Sequence, residues 1–494
     1  MKVLLVASPK NYFGIDMLFR VPNLGLCSIA GNIDKGLAEV YVLDLIVTGK
    51  NHDDYFINLI KKLNPDIIGF SSMIFQYKHL LSLAKIAKLS NPKVTVIFGG
   101  YYPTIDYDTI AESDDMRYID FLIRGEGEHS FNEFIKEFKN SKDYSKVPGL
   151  TFIQNGSIFH NPTGCLVNLD EMKFPDRSAR LLTKGFHCMG LKSDSIETSR
   201  GCVYDCNFCS INLMYGKSFR KYKTERILDD IRDAQNRGAK SLMMTDDNIT
   251  LDGKRFKHLC EAIKYSGLNE IKYLLQASVA GIKNTPGLIK AMADAGMKWI
   301  FLGIENALES NLDSMKKSSQ FDSSDTAEVI KELRAHRITV IGGFILGNPD
   351  DTEESMWANF EFAKKTKVDL PVFNTITPHP KTKIREELDK LGLITNRDDY
   401  TRYDCWEVNI KTKHLSTEQI HKIRYDMNMH YLVESGAIFR LIKEYPKYFT
   451  KLIPKWLLVK PSDVIGAILT GFSKKFFDKK INFNSAFRKN LLPD

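Results

Sequence analysis

The residues with the most distinctive chemistry are three cysteines, Cys202, Cys206 and Cys209, in the segment Asp194-Ser-Ile-Glu-Thr-Ser-Arg-Gly-Cys-Val-Tyr-Asp-Cys-Asn-Phe-Cys-Ser210. Three and then two residues separate them, so the thiolates share one short loop and can wrap a single four-iron four-sulfur cubane. They supply only three ligands to four irons, which leaves one iron open. A zinc site would want a fourth Cys or His nearby, and none follows within a few residues. The other five cysteines, Cys27, Cys165, Cys188, Cys260 and Cys405, are scattered through a large chain with no visible secretion signal, which argues against a disulfide framework.

A cluster loop needs a scaffold, and the surrounding sequence supplies one. A short strand runs into the loop, and apolar runs recur near residues 241–245, 273–278, 299–303, 339–346 and 372–377, separated by stretches of helical period. That makes six β/α units. Upstream, continuous apolar runs at 2–8, 40–46, 66–72, 93–99 and 119–123 read as buried parallel strands. Helical segments lie between them, such as 77–90 with Leu80, Leu81, Leu83, Ala84, Ile86 and Ala87 on one broad face. The alternation predicts a doubly wound, Rossmann-like α/β sheet. Ligands on such sheets bind at the carboxyl ends of the strands, where this chain places Gly69, Gly99, Gly100, Gly125 and Gly127. These glycines could also be ordinary tight turns.

The cysteine segment, with Phe208 before the last cysteine, resembles the radical S-adenosylmethionine (SAM) signature. In order and spacing, Pro22-Asn-Leu-Gly-Leu26, Ile68-Gly-Phe-Ser-Ser72, Gly99-Gly-Tyr-Tyr-Pro-Thr104 and Arg124-Gly-Glu-Gly-Glu128 resemble the cobalamin-binding domain of the cobalamin-dependent radical SAM family. The resemblance spans roughly residues 1–400. It implies a partial (β/α)6 barrel with its active site at the strand ends, and three cofactors: a 4Fe-4S cluster on Cys202, Cys206 and Cys209, SAM on the open iron, and cobalamin on the N-terminal domain. For SAM it points to Asp246, Asp247 and Asn248, to Gln276 and Ser278, to Glu305, and to Gly343 and Leu346. Asp246, Asp247 and Glu305 could instead cap helices. For cobalamin it points to Asp44, Gly49, Ser71, Ser72, Gly99, Gly100, Tyr101, Tyr102, Gly125, Glu126 and Gly127. In Asp44-Leu-Ile-Val-Thr-Gly49, Ile46 stands where an axial histidine would be, so the resemblance implies cobalamin with its lower base displaced and no protein imidazole on cobalt. Tyr102 departs from a frequent histidine. His379 and Tyr204 are the weaker candidates for catalytic proton chemistry, and His379 could equally be structural.

The expected organisation is a cobalamin domain at 1–145, a connector at 146–190, the barrel at 191–400 and a mainly helical, basic region at 401–494. The expected reaction is methylation of an unactivated carbon through a 5′-deoxyadenosyl radical, with oxidative ring formation on a porphyrin or lipid as the alternative. A non-catalytic cobalamin or redox sensor is the reading from another class. A reductant such as flavodoxin or ferredoxin is the implied partner. The net charge of +8 resides in the tail: residues 440–494 hold 12 Lys and Arg against 4 Asp and Glu. Lysines interleaved with Phe439, Tyr445, Trp456, Phe472, Phe476 and Phe477 suit peripheral contact with an anionic membrane through 440–490 and a lipid-like substrate. No RNA-binding module is visible, so no nucleic-acid partner is expected. A cytoplasmic address without a spanning helix follows, because the apolar stretches fall short of the roughly 20 residues a span needs.

Overall fold

The computed structural model describes residues 1–9, 18–317 and 323–446. The chain divides into a compact unit, Met1–Ser435, and a second one from Gly436 onward. Of the second, the described part is the helix Ala437–Glu444. The rest of the basic aromatic tail, which carries the membrane reading, lies outside the described residues. Among those described, no helix is long and apolar enough to cross a membrane.

The first sheet begins with β1 (Lys2–Ala7), β2 (Glu39–Asp44), β3 (Ile67–Ser71), β4 (Thr95–Gly99) and β5 (Phe121–Ile123). These strands are parallel, in the order β2-β1-β3-β4-β5. Two antiparallel strands, β6 (Leu150–Gln154) and β7 (Ser157–His160), extend it beyond β5, drawing on residues that the sequence reading gave to the connector. The runs lack polar alternation because both faces are covered. Val3 and Leu5 pack on one side and Leu4 and Val6 on the other. On the first side lie α1 (Leu24–Asn32) and a helix over Gly127–Lys139. On the second lie α2 (His52–Leu63) and α3 (Tyr77–Ser90). The strand order reverses between β1 and β3, so the ligand crevice of such a sheet falls at their carboxyl ends.

The second sheet holds the six expected parallel strands in sequential order: β8 (Leu191–Ile196), β9 (Ser241–Met244), β10 (Lys272–Ser278), β11 (Met297–Glu305), β12 (Thr339–Leu346) and β13 (Leu370–Thr375). Sequential parallel pairing with a helix after each strand curls the sheet into a half-barrel. Beyond β8 the sheet continues antiparallel through His187–Cys188 and then Phe19–Arg20, so a piece of the N-terminal segment closes its edge. The connector is anchored as well. The Asp176 amide donates to the Cys27 carbonyl, and the buried Arg177 donates to Asp230 and to the Ser195 carbonyl.

Candidate active site and cofactor pocket

Cys202, Cys206 and Cys209 follow the strand end of β8 and all three are partly buried. The Cys209 amide closes a turn onto the Cys206 carbonyl. Burial pushes the thiols up, to about 11 at Cys206 and about 12 at Cys209. Three sulfurs with no fourth Cys or His ligand grouped with them among the described residues suit a cluster with one open iron better than a closed zinc site.

Lys317 faces these thiols, and local sequence reasoning missed it. Its side chain is 9% exposed, and Nζ lies 3.0 Å from Glu305 Oε1. Burial pulls the ammonium down, but Glu305, together with Cys206 and Cys209 in their thiolate form, outweighs that, and it stays charged far beyond neutral pH. Glu305 ends β11 with φ 64°, a left-handed conformation that is costly for a residue with a side chain, at an irregularity of the β11–β12 register. The result is a nearly buried ion pair beside the cysteine loop.

The Asp246–Asp247 pair splits. Asp246 is fully buried and accepts from the Thr198 amide and from the hydroxyls of Thr198 and Ser199, so it ties two strand ends together. Asp247 accepts from the Gly201 amide, and burial, reinforced by Glu197 and Asp246, raises its carboxyl to about 6. Asn248 accepts from Thr250 and also touches the Cys202 thiol. Ser278 caps the short helix Val279–Lys283, and the hydroxyl of Tyr204 reaches Ser278. Gln276 is half-buried in β10, where its backbone pairs in register with Phe301 of β11. At Gly343 a Cβ would meet the Phe301 ring at 2.8 Å, so this glycine makes room for an aromatic side chain. Leu346 is buried at the end of β12.

A pocket of about 300 Å³ opens at the carboxyl ends of the first sheet. Gly25, Gly69, Ser71, Gly99, Gly100 and Tyr101 line one part, Gly125, Glu126 and Gly127 another, apolar Leu5, Ile97 and Phe131 its floor, and Glu197, Arg200, Tyr215 and Thr245 are among those on the barrel side. A Cβ at Gly100, where φ is 90°, would meet the Ser72 amide nitrogen at 2.9 Å. At Gly125, where φ is 77°, it would meet nothing within 4 Å. A small-residue cradle of this kind fits a bulky planar group brought close to backbone.

Several residues expected at that cradle also have partners within the protein. The Asp44 carboxylate accepts from the Asn23 and Ile46 amides and caps the turn Leu45–Val47. Gly49 and Ser72 do not line the pocket. The Tyr102 ring turns into the core between Tyr77 and Tyr400, at 5.0 and 5.8 Å, because the short helix α4 (Tyr101–Ile105) sends consecutive side chains in different directions. Tyr101 points the other way and its hydroxyl pairs with Ser210, directly after the cysteine loop. Glu126 accepts from Arg200 and twice from Arg220, and Arg200 also donates to Glu128 and Glu197. This buried network joins the glycine turn of the first sheet to the segment preceding the cysteines. His379 has its Nε2 4.0 Å from the Cys405 sulfur, and burial, with Arg385 nearby, lowers its imidazole to about 4.

The B12 binding domain family matches residues 13–135 and the radical SAM superfamily residues 196–363. An uncharacterized methyltransferase of Pyrococcus horikoshii is 28% identical over 465 residues, 93% of this chain and 98% of that protein. The hopanoid C-3 methylase of Methylococcus capsulatus is 27% identical over 84% of this chain and 77% of its own length. The anaerobic magnesium-protoporphyrin IX monomethyl ester cyclase of Cereibacter sphaeroides is 23% identical over 85% and 68%. The fold is shared with the methyltransferase TsrM of Kitasatospora setae, solved with cobalamin and a [4Fe-4S] cluster (TM-score 0.64, 16% identity, 79% of this chain and 78% of that one). It is also shared with apo OxsB (TM-score 0.68, 17% identity, 99% and 79%). With a B12-binding domain ahead of a radical SAM half-barrel in one polypeptide, the chain belongs to the cobalamin-dependent radical SAM family.

Proposed function

We propose that this chain methylates an unactivated carbon of a lipid-like or other small-molecule substrate. The observation that carries the reading is the seating of the glycine cradle against the cysteine loop within one compact unit, joined through Tyr101–Ser210 and the Arg200 network. In that arrangement Cys202, Cys206 and Cys209 hold the cluster. Lys317 offers its ammonium to the carboxylate of SAM, while Glu305 orients that lysine. Asp247, Asn248 and Gln276 present polar groups to the rest of the molecule. Gly99, Gly100, Gly125 and Gly127 bring backbone close to the corrin, and Tyr101 stands between the two sites. When bound, the cluster and SAM supply a 5′-deoxyadenosyl radical, and cobalamin supplies a transferable methyl group. Burial of the ion pair keeps water from competing for it.

Relatives named for methylation of hopanoids and other acceptors support this assignment, and the cyclase relative supports ring formation as the second reading. An electron donor of flavodoxin or ferredoxin type and contact of the tail with anionic lipid belong to the same proposal. The test supplies reduced, cluster-loaded, cobalamin-loaded protein with methyl-deuterated SAM and extracts of cells lacking it. The expected product is an acceptor carrying the label, heavier by about 14 mass units per methyl group in unlabelled form. A loss of about 2 mass units would transfer the assignment to ring formation. Failure to form any 5′-deoxyadenosine with an intact cluster would instead favour a sensor.

A further inference from the structure

One cluster of metal-ligating side chains lies outside everything assigned above. His52 opens α2, Asp53 follows it, and His79 sits in the first turn of α3. His79 Nε2 is 3.0 Å from Asp53 Oδ1, and His52 Nε2 is 3.5 Å from the same oxygen. One ligand atom from each of the three residues lies within 4.8 Å of the other two. The two rings meet edge to face, with centroids 5.0 Å apart and planes at 74°, so their nitrogens converge instead of stacking past each other. Behind the first ligand, His52 Nδ1 sits 3.1 Å from the Gly49 carbonyl oxygen. A carbonyl can only accept, so Nδ1 carries the proton there and Nε2 presents its lone pair. This is the support that metal-bound imidazoles almost always have.

An ordinary His79–Asp53 ion pair accounts for one imidazole at that oxygen, but not for a second one held from behind by a carbonyl and aimed at the same point. The α2 and α3 amino termini repel a cation, and the Asp53 carboxylate offsets that repulsion. Side-chain exposures of 30% at His52, 47% at Asp53 and 12% at His79 leave an open side for water.

We infer that His52, Asp53 and His79 form a divalent-cation site of the zinc class, with water completing the coordination. Two imidazoles and one carboxylate favour such a cation over magnesium or calcium, which take oxygen sets. The bound ion clamps the starts of α2 and α3, the helices that follow β2 and β3, and so braces the segment carrying Asp44 and Ile46.

The experiment titrates Zn²⁺, with Mg²⁺ as the control, into full-length cluster-loaded protein against a chromophoric chelator, for wild type, His79→Ala and Asp53→Asn. Occupied cysteines are common to all three, so differences report this site. Wild type should bind one Zn²⁺ more than His79→Ala, with a dissociation constant roughly 10- to 100-fold tighter than in Asp53→Asn. Zinc, and not magnesium, should raise the thermal midpoint of wild type, less that of Asp53→Asn at the same zinc concentration, and not that of His79→Ala. Asp53→Asn is isosteric and half-exposed, so it keeps the fold if His79→Ala does not. Equal zinc stoichiometry and affinity in wild type and Asp53→Asn, or equal protection by magnesium, overturns the inference.

Discussion

The two halves of the site are made from different materials. The pocket at the first sheet is a concavity of glycines and apolar side chains such as Leu5, Ile97 and Phe131, and among its charged residues Glu126 and Arg200 are paired with each other. The barrel side consists of side chains with reactive or charged ends: three thiols, the Lys317–Glu305 pair, Asp247 and Gln276. A cradle recognises by shape and is damaged by adding atoms. A charged constellation recognises by groups and is damaged by deleting them. Substitutions of opposite kinds should therefore separate the two cofactors.

The largest effect should come from deletion at the cysteines. Cys202→Ala, Cys206→Ala or Cys209→Ala is each expected to abolish cluster absorbance and 5′-deoxyadenosine formation, since two remaining thiolates cannot hold the cubane. Changing Cys27 or Cys260, both buried away as neutral thiols, should leave iron content intact. Iron and sulfide analysis after anaerobic reconstitution checks this. A full cluster in any of the three loop variants would break the assignment.

A smaller but more discriminating pair is Gly125→Val with Lys317→Ala. Valine at Gly125 adds bulk in open space and strains a φ of 77°, so cobalamin affinity should fall tenfold or more while SAM binding is kept. Removing the Lys317 ammonium deletes a charge-assisted contact, so SAM affinity should weaken roughly 10- to 100-fold with cobalamin binding unchanged, and Lys317→Arg should recover part of the loss. Titrations followed by cobalamin absorbance and by equilibrium dialysis of SAM read the two separately. If either variant impaired both equally, the halves would be one coupled site and the contrast would fail.

How much of this was legible in the sequence follows the same division. Strand ends carry their signals locally, so the cysteine triad, the glycines of the first sheet and all six barrel strands could be read from spacing and periodicity. Lys317 could not, because the turn after the helix Glu309–Ser314 returns it to the strand end 12 residues after Glu305. Arg200 and Arg220 reach Glu126 across 74 and 94 residues, and only the packing of barrel against sheet brings them together. At Tyr102 and Asp246 the local motif did not show the partners that folding brings to them. Both lie in matching motifs, but a helical turn sends one into the core and hydroxyls at a neighbouring strand end claim the other.

The smallest effect concerns His379, which lies at the barrel's last strand end yet behaves as packing. Its imidazole is lowered to about 4, by burial first and by Arg385 second. In the unfolded chain it titrates near 6.5. Between those values the unfolded state binds the extra proton, so the His379 contribution to stability is complete above pH 6.5 and is lost as pH falls towards about 4. His379→Gln should therefore flatten that part of the curve of denaturation midpoint against pH, while leaving stability above pH 7 within about 1 kcal/mol of wild type. A general acid or base working near neutrality would behave differently. The pH profile of turnover would then carry an inflection between 6 and 8 that disappears in the variant. Because a group neutral down to about 4 has no proton to give at pH 7, no such inflection is expected, and finding one would place His379 with the chemically active side chains of the barrel mouth instead of with its core.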